Sequence, residues 1–362
     1  MILILDSQKL KNFQTDKRYW QGIPGVEVTA KGRLFVTFYS GGKTEEAGNY
    51  CVLVKSDDDG GTWSEPIAVA YDGEESRCFD PCLWIDPLHR LWFIWSAAPD
   101  FGVWCTVCKN PDEDVLQWRE PGRIAEGVMM NKPLVLGNGE WLFPCAVWNH
   151  GVAGGGFTDE SDKLRRSFVY STTDMGKTFV CKGGADVENR SYDEHMVIER
   201  EDGSLSMFVR TNDGIGTSCS YDGGVTWTEG EDSGLGGPCS RFFIGRLKSG
   251  NLLLVNHKDT KERNNLTAML SMDDGKTWVG GLMIDSRNQV SYPDAAQGPD
   301  GSIYVVYDRE RGAIYDKAKD YSAEAREILL AKFTEEDVLQ GRFLSDKSFE
   351  KKIISKLILD SK

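Results

Sequence analysis

Short runs of apolar and β-branched residues recur along this chain, and each follows a polar turn. Residues 34–39, 91–95 and 303–307 are examples, and their Val, Ile and aromatic side chains favour strands over helices. Five of the six turns have Gly in second place, as hairpins that need a positive φ prefer. The turns begin at Lys31, Leu88, Asn138, Asp202, Ser249 and Asp300, at intervals of 57, 50, 64, 47 and 51 residues. The pattern predicts six similar units of several strands each.

A second repeat, which reads Ser/Thr-x-Asp-x-Gly-x-Thr-aromatic, has the same period. Its four copies begin at Ser56, Thr172, Ser220 and Ser271, and their Asp residues lie 116, 48 and 51 positions apart. Because the first interval is about two periods long, we predict a degenerate copy near Asn110. The Asp side chain is suited to cap the backbone of its own turn, and the Thr-aromatic pair begins the next strand.

A period near 50 residues with several strands in each unit is typical of a β-propeller. We therefore predict an all-β fold, a six-bladed β-propeller of four-stranded antiparallel blades. Residues 1–345 are assigned to this single domain, because an unbroken repeat outweighs the two or three domains that the length alone suggests. Residues 346–362 are assigned to a C-terminal tail, whose apolar positions favour a helix packed on the propeller; these positions are Ile353, Ile354, Leu357 and Ile358.

Composition limits the partners and the location. A net charge of −14 argues against nucleic acid and anionic membranes, since both bind basic surfaces. No apolar run is long enough for a membrane span, and the first residues lack the regions of a signal peptide. We expect a cytoplasmic protein, with a trimmed secreted or periplasmic form as the alternative. The odd number of cysteines, nine, favours reduced thiols.

The first strand of each propeller blade lines the central channel, so counting back from the six turns identifies residues at one level of that channel. These residues are Ile23, Asp80, Met130, Glu194, Arg241 and Tyr292, with Lys132, His195 and Asp294 at adjacent positions. The second strands reach the same face at Tyr39, Ser96, Ala146, Arg210, His257 and Asp308. So many charged groups in one concave place predict a binding site at one mouth of the channel. The alternative is a set of ion pairs that holds the blades together.

Glu194 and Tyr292 form the most reactive pair in this set. A phenol with a solution pKa near 10 is a poor nucleophile until a neighbouring carboxylate accepts its proton. The pair therefore predicts nucleophilic catalysis. The alternative is that Tyr292 is a core aromatic residue in a turn formed by residues 291–294.

With these repeats and this pair of residues, the chain resembles the sialidase (neuraminidase) superfamily. Members of that superfamily are six-bladed propellers whose blades carry such Asp boxes. The stretch from Glu194 to Leu205, running on to Arg210, looks like the family segment that holds the activating Glu and an Arg of the carboxylate-binding triad. Arg263, just before an Asp box, is similar to a second triad Arg. Tyr292, ahead of residues 299–303, resembles the nucleophilic Tyr.

Two departures from the family pattern affect what the resemblance implies. Gly22 occupies the place of the first triad Arg, and Arg241, Arg77 or Lys132 could supply the missing cation, with Arg241 best placed by the offset count. The loop of residues 40–50 contains no Asp to serve as the acid/base. Glu45 or Glu46 could serve instead, and we assign the role to Glu46.

The resemblance implies a retaining glycosidase that removes a terminal acidic sugar from a carbohydrate, without a metal or other cofactor. Tyr292 would attack the anomeric carbon with help from Glu194, and Glu46 would protonate the leaving group. Asp80 and His195 would contact or orient the substrate. Two alternatives stay open: an enzyme that acts on a uronic acid or a neutral sugar, by hydrolysis or by elimination, and a carbohydrate-binding propeller without turnover.

Overall fold

The computed structural model describes residues 1–148, 165–258, 262–311 and 325–357. In these ranges six antiparallel sheets follow one another along the chain, which confirms the predicted all-β, six-bladed propeller. The first sheet contains β1 (Ile2–Ile4), β2 (Trp20–Val28), β3 (Leu34–Gly41), β4 (Tyr50–Ser56) and β5 (Ala68–Tyr71). The second contains β6 (Arg77–Ile85), β7 (Leu91–Ala98), β8 (Gly102–Cys108) and β9 (Gly122–Glu126). The third contains β10 (Leu134–Val135), β11 (Trp141–Ala146), β12 (Ser167–Thr172) and β13 (Val180–Ala185).

The other three sheets, like the second and third, each have four strands in chain order, whereas the first sheet has β1 as a fifth strand outside β5. The fourth contains β14 (Met196–Glu199), β15 (Leu205–Thr211), β16 (Gly214–Ser220) and β17 (Glu231–Asp232). The fifth contains β18 (Phe243–Arg246), β19 (Leu252–His257), β20 (Leu266–Ser271) and β21 (Val279–Asp285). The sixth contains β22 (Val290–Gln297), β23 (Ile303–Arg309), β24 (Glu327–Phe333) and β25 (Phe349–Lys356). The short helices are α1 (Ser7–Leu10), two 3-10 turns at Lys11–Phe13 and Thr15–Lys17, and α2 (Glu335–Gln340).

The ring closes between the sixth and first blades, and among the described strands none is exchanged between these two sheets. The inner strand β2 contacts both β6 and β22, so it lies between its two neighbouring blades. Val26 and Leu34 of the first blade share an apolar cluster with Val306 and Leu330 of the sixth. Burial of this apolar surface holds the closure. Among the described residues, no helix has both the length and the apolar character needed to cross a bilayer.

The Asp boxes form as predicted. The Asp58 carboxylate accepts hydrogen bonds from the backbone nitrogen of Thr62 (2.8 Å), from its hydroxyl (2.8 Å) and from Ser56 Oγ (2.8 Å). The boxes that contain Asp174, Asp222 and Asp273 repeat these bonds. The degenerate copy is also present in the second blade. There Asn110 Oδ1 accepts from the backbone nitrogen of Gln117 (2.8 Å) in a longer loop.

Replacing Asp222 by Asn is expected to reduce stability more at neutral pH than in acid. Hydrogen bonds from the hydroxyl and the backbone of Thr226 lower the pKa of Asp222 to about 2, against roughly 3.9 for an unfolded Asp. A lowered folded pKa contributes stability that is fully present above the unfolded pKa and is lost as the pH falls towards the folded pKa. The difference between the urea midpoints of the two proteins should therefore narrow between about pH 6 and about pH 3. A difference that stays constant over this range would contradict the assignment.

The predicted C-terminal helix is wrong. Residues Phe349–Lys356 form β25, which pairs antiparallel with β24 as the outer strand of the sixth blade. The reason is tertiary, because the outer edge of β24 offers backbone hydrogen-bonding groups that a strand satisfies and a helix does not. Apolar spacing alone did not distinguish the two.

Candidate active site

Side chains from the fourth and sixth blades meet at one mouth of the channel. The Tyr292 hydroxyl donates a 2.5 Å hydrogen bond to Glu194 Oε1. Arg210 Nη1, from the end of β15, donates to the same oxygen at 2.7 Å and to the Tyr292 hydroxyl at 2.9 Å. All three residues are at least 94% buried. The structure thus brings together three residues that the sequence analysis selected from two separate segments of the chain.

A repeated backbone distortion marks the inner strands at this level. Tyr292 and Pro293 form a bulge where the pairing of β22 with β23 shifts register. The pairs Ile23-Pro24 and Asp80-Pro81 form the same bulge on β2 and β6, where a proline costs no ladder hydrogen bond. The φ angles are +55° at Ile23, +49° at Asp80, +41° at Glu194 and +55° at Tyr292. Positive φ is rare for such residues and is concentrated at functional sites.

Buried polar groups hold these distorted segments. Asp308 accepts hydrogen bonds from the backbone nitrogen of Ile23 (2.8 Å) and from Ser291 Oγ (2.6 Å), so it joins the first and sixth blades. Asn131 Nδ2 donates to the carbonyl oxygen of Glu194 at 2.7 Å. His257 Nε2 lies 2.9 Å from the carbonyl oxygen of Val290, and burial lowers the pKa of this His to about 4. The neutral imidazole therefore ties the end of β19 to the start of β22.

The electrostatics of the pair favour a protonated phenol. Burial and the charge of Glu194 raise the pKa of Tyr292, while Arg210, Arg311 and Arg263 act in the opposite direction. Tyr292 therefore keeps its proton at neutral pH and needs a base before it can act as a nucleophile. Glu194 is within hydrogen-bond reach of that proton. Burial opposes the charge of Arg210, but the Glu194 carboxylate outweighs it and raises the pKa of Arg210.

Two further guanidinium groups lie against the Tyr292 ring. The Cζ atom of Arg263 is 5.3 Å from the ring centroid, and that of Arg311 is 3.9 Å from it. The sequence analysis selected Arg263 but missed Arg311. The sequence carried a signal for Arg311, because this residue follows the second strand of the sixth blade. Closure of the ring brings the end of that strand beside Gly22, the position where the family pattern lacks its Arg.

Arg241 occupies a different place from the one predicted. Its side chain is fully buried, and it donates to Asn131 Oδ1 (2.7 Å) and to the carbonyl oxygens of Pro24 and Met130 (3.0 Å each). These bonds engage its nitrogens in the channel wall, so the offset count correctly placed Arg241 on the channel but did not bring it to the Tyr292 ring. Through Asn131 it supports the backbone of Glu194 instead.

Lys132 also lies away from the pair. Its ammonium donates to the carbonyl oxygen of Val26 at 2.6 Å and pairs with Glu27 (2.8 Å) and Asp294 (3.2 Å). It lines a cavity of about 400 Å³ formed by the later parts of the inner strands, at the other end of the channel. Tyr292 and Glu194 do not line that cavity. Arg77, the remaining candidate cation, stacks on Phe79 with its Cζ 4.5 Å from the ring centroid.

His195 and Asp80, the two residues predicted to orient the substrate, differ in what burial does to them. His195 Nε2 lies 2.7 Å from the carbonyl oxygen of Phe168, and burial lowers the pKa of His195 to about 4. The neutral imidazole is thus engaged with the third blade. For Asp80, burial and the charges of Glu45 and Glu194 raise the pKa well above its usual range. A carboxyl group that retains its proton beside the site can donate a hydrogen bond to a substrate.

The two glutamates of the first-blade loop point in different directions. The Glu46 carboxylate is exposed and accepts a 2.6 Å hydrogen bond from the backbone nitrogen of Lys43. Glu45 Oε1 lies 3.8 Å from Arg311 Nη1, and its side chain is 36% exposed. Glu45 rather than Glu46 therefore faces the arginine cluster.

Aromatic side chains lie beside the pair formed by Tyr292 and Glu194. Tyr192 is 36% exposed, and its ring packs edge-on against Trp148 with centroids 5.2 Å apart. The Cζ atom of Arg210 lies 5.1 Å from the Tyr192 ring. The sequence analysis missed Tyr192, which precedes the inner strand of its blade and falls outside the offset count. In the described ranges, His, Cys, Asp and Glu side chains form no group of three suited to a metal ion.

The profile of the BNR repeat-like domain family matches residues 32–305. The chain therefore belongs to this family. The match covers parts of all six blades.

Similar proteins share the fold and carry sialidase names. A sialidase of Bacteroides fragilis is 25% identical over an alignment of 333 positions, which covers 79% of this chain and 59% of that protein. The chain thus spans about three fifths of the length of that curated relative. The NanB sialidase of Streptococcus pneumoniae has a TM-score of 0.67 at 13% identity, over 90% of this chain and 70% of that one. The intramolecular trans-sialidase of Ruminococcus gnavus has a TM-score of 0.64 at 14% identity, over 91% and 97%.

Proposed function

We propose that this protein is a glycoside hydrolase that releases a terminal acidic sugar, sialic acid or a close relative, with retention of configuration. The observation that carries the proposal is the 2.5 Å hydrogen bond between Tyr292 and Glu194 inside a cluster of arginines. The sialidase names of similar proteins support the same substrate class. The chain has a net charge of −14, so a local group of guanidiniums stands out as an anion site.

The first step makes a glycosyl-enzyme intermediate. Tyr292 oxygen forms a bond to the anomeric carbon, the bond to the leaving oxygen breaks, and the phenol proton passes to Glu194. The loss of that proton is aided by Arg210, which donates to both groups. In the second step water attacks the anomeric carbon, the bond to Tyr292 breaks, and Glu194 returns the proton to the phenol.

The carboxylate of the proposed substrate accounts for the choice of a tyrosine as nucleophile. A sugar with a carboxylate next to the anomeric carbon repels an anionic Asp or Glu nucleophile, whereas a neutral phenol avoids this repulsion. Arg263 lies beside the same ring that would attack. It is positioned to attract the substrate carboxylate, since guanidinium–carboxylate hydrogen bonds are strong and directional.

We assign the acid/base role to Glu45 in place of Glu46. Its carboxylate faces Arg311 and raises the pKa of Asp80, while Glu46 caps its own loop. In its protonated form Glu45 would give its proton to the leaving oxygen, and the resulting carboxylate would then take a proton from the attacking water. Asp80 is the second carboxyl group in reach of this role.

Glu45→Gln should lower kcat/KM by about 10²- to 10⁴-fold for a natural glycoside, because proton donation to the leaving oxygen is lost. The loss should be much smaller for an aryl glycoside with an acidic phenol as leaving group, which needs no proton. Glu46→Gln is the matched control and should change either rate by less than about threefold, since its carboxylate serves the loop. If Asp80→Asn instead shows the dependence on the leaving group, the acid is Asp80.

The substrate class can be tested with fluorogenic glycosides of sialic acid, a uronic acid and neutral sugars. Turnover of the sialoside alone, with the α-anomer as the first product in proton NMR, supports the proposal. Turnover of only the uronide or neutral glycosides would contradict it and favour a different sugar. Tight sugar binding without turnover would contradict the enzymatic proposal and indicate a carbohydrate-binding propeller.

A further inference from the structure

At the closure of the ring, the Arg311 side chain fills the space that a side chain at position 22 would need. A Cβ atom added to Gly22 would lie 2.7 Å from Arg311 Cδ, 2.8 Å from Cγ and 3.0 Å from Nε. Distances under 3.0 Å do not occur for real Cβ atoms, so a side chain at position 22 and the observed Arg311 exclude each other. The absence of a side chain at Gly22 is therefore what lets the aliphatic stem of Arg311 cross the inner strand of the first blade.

Specific contacts hold Arg311 in this path. Its carbonyl oxygen accepts a 3.1 Å hydrogen bond from the backbone nitrogen of Gln21. Its Nε donates to Asp308 Oδ2 at 2.9 Å, and its Nη2 donates to Ser291 Oγ at 3.2 Å. The Asp308 pair fixes the Nε side of the guanidinium and raises the pKa of Arg311 against the effect of burial. The Nη atoms carry four N–H groups, which exceeds what Ser291 alone can accept.

The guanidinium of Arg311 lies over the Tyr292 ring. Its Cζ is 3.9 Å from the ring centroid, nearer than the 5.3 Å of Arg263. Burial lowers the pKa of Arg263, and the charges of Arg311 and Arg210 act in the same direction. The three cations therefore repel one another. Within the described residues, ion pairs neutralise Arg210 and Arg311 but join no carboxylate to Arg263. A carboxylate bound among them would relieve this repulsion.

We propose that Arg311, which follows β23 of the sixth blade, supplies the third guanidinium of the carboxylate site, and that Gly22 is small because Arg311 passes over it. This inference rests on the proposed function and deepens it. The missing cation is thus replaced from the neighbouring blade rather than by Arg241, Arg77 or Lys132. Arg311 also lies beside Glu45, so the cation that holds the substrate carboxylate also neighbours the proposed acid.

The test compares binding of 2-deoxy-2,3-dehydro-N-acetylneuraminic acid and its methyl ester by titration calorimetry. Wild type should bind the acid more tightly than the ester. Arg311→Met should weaken binding of the acid by about 10- to 100-fold, because a charged hydrogen-bonding partner is lost, and should leave binding of the ester within about threefold. Arg309→Met is the matched control, because Arg309 is two residues away and pairs with Glu310 and Glu327. It should change neither affinity.

The variant Gly22→Ala tests the same inference independently, because it leaves Arg311 in the sequence. The added methyl group should displace the Arg311 stem and reduce the preference for the acid in the same direction. If wild type prefers the acid while both variants keep the full preference, the inference about Arg311 is overturned and the proposed function stands. If wild type binds the acid no better than the ester, the carboxylate site itself is overturned, and this inference with it.

Discussion

Tyr292→Phe is expected to lower kcat/KM for a sialoside by about 10³-fold or more, while the folded structure is retained. The substitution removes only the hydroxyl that would attack the anomeric carbon. The ring keeps its contacts with Arg263 and Arg311, and Glu194 keeps its hydrogen bond from Arg210. Initial rates with a fluorogenic sialoside, together with circular dichroism and the melting temperature, measure both parts of the prediction.

Tyr307→Phe is the matched control for this experiment. Its hydroxyl is also buried and also hydrogen-bonded to a carboxylate, Asp285 at 3.1 Å, but it lies in the core between blades. The control should change stability slightly and leave the specific activity unchanged. A Tyr292→Phe protein that retains the wild-type rate would remove Tyr292 from the mechanism, whatever the substrate is.

Arg210→Met is expected to cost about 3–5 kcal/mol of unfolding free energy and to abolish activity. The variant leaves the Glu194 carboxylate buried without its counter-charge, and that uncompensated burial is the main cost. Adding Glu194→Gln removes the charge, so the double variant should recover a large part of the stability but none of the activity. Urea unfolding of the two single variants and the double variant measures this coupling.

Arg123→Met provides the surface comparison. Arg123 pairs with Glu126, but both side chains are largely exposed, and exposed pairs contribute about 1 kcal/mol or less. Two results would contradict the description of Arg210 and Glu194 as a coupled buried pair. One is that Arg210→Met lowers the unfolding free energy no more than Arg123→Met does. The other is that adding Glu194→Gln to Arg210→Met lowers it further, by as much as Glu194→Gln does alone.

Local chemistry explains why the propeller could be predicted. Each Asp box is held by bonds between residues at most four positions apart, as in Ser56, Asp58 and Thr62. Such turns need few contacts from the rest of the fold, so the spacing of the Asp boxes gives the length of a blade, and the six polar turns of the other repeat give the number of blades. The same reasoning detected the degenerate copy, in which Asn110 keeps the acceptor atom that the cap requires.

The candidate site was predictable only in part. The offset count selected Glu194, Arg210 and Tyr292, because a repeated unit places equivalent positions at equivalent levels of the channel. It failed for Arg241 and Lys132, since position on a strand does not say which buried acceptors a long side chain will reach. The choice between Glu45 and Glu46 likewise depended on how one loop folds back on itself.

The repeats in the chain were enough to establish the number of blades, the turns that separate their strands and the inner positions that carry chemistry, because these follow from contacts between near neighbours in sequence. Tertiary packing decided the rest. It paired β25 with the edge of β24 inside the sixth blade, and closure of the ring brought Arg311 across Gly22 to the Tyr292 ring. Those contacts join residues as much as 289 positions apart, and their energies exist only once all six blades have packed.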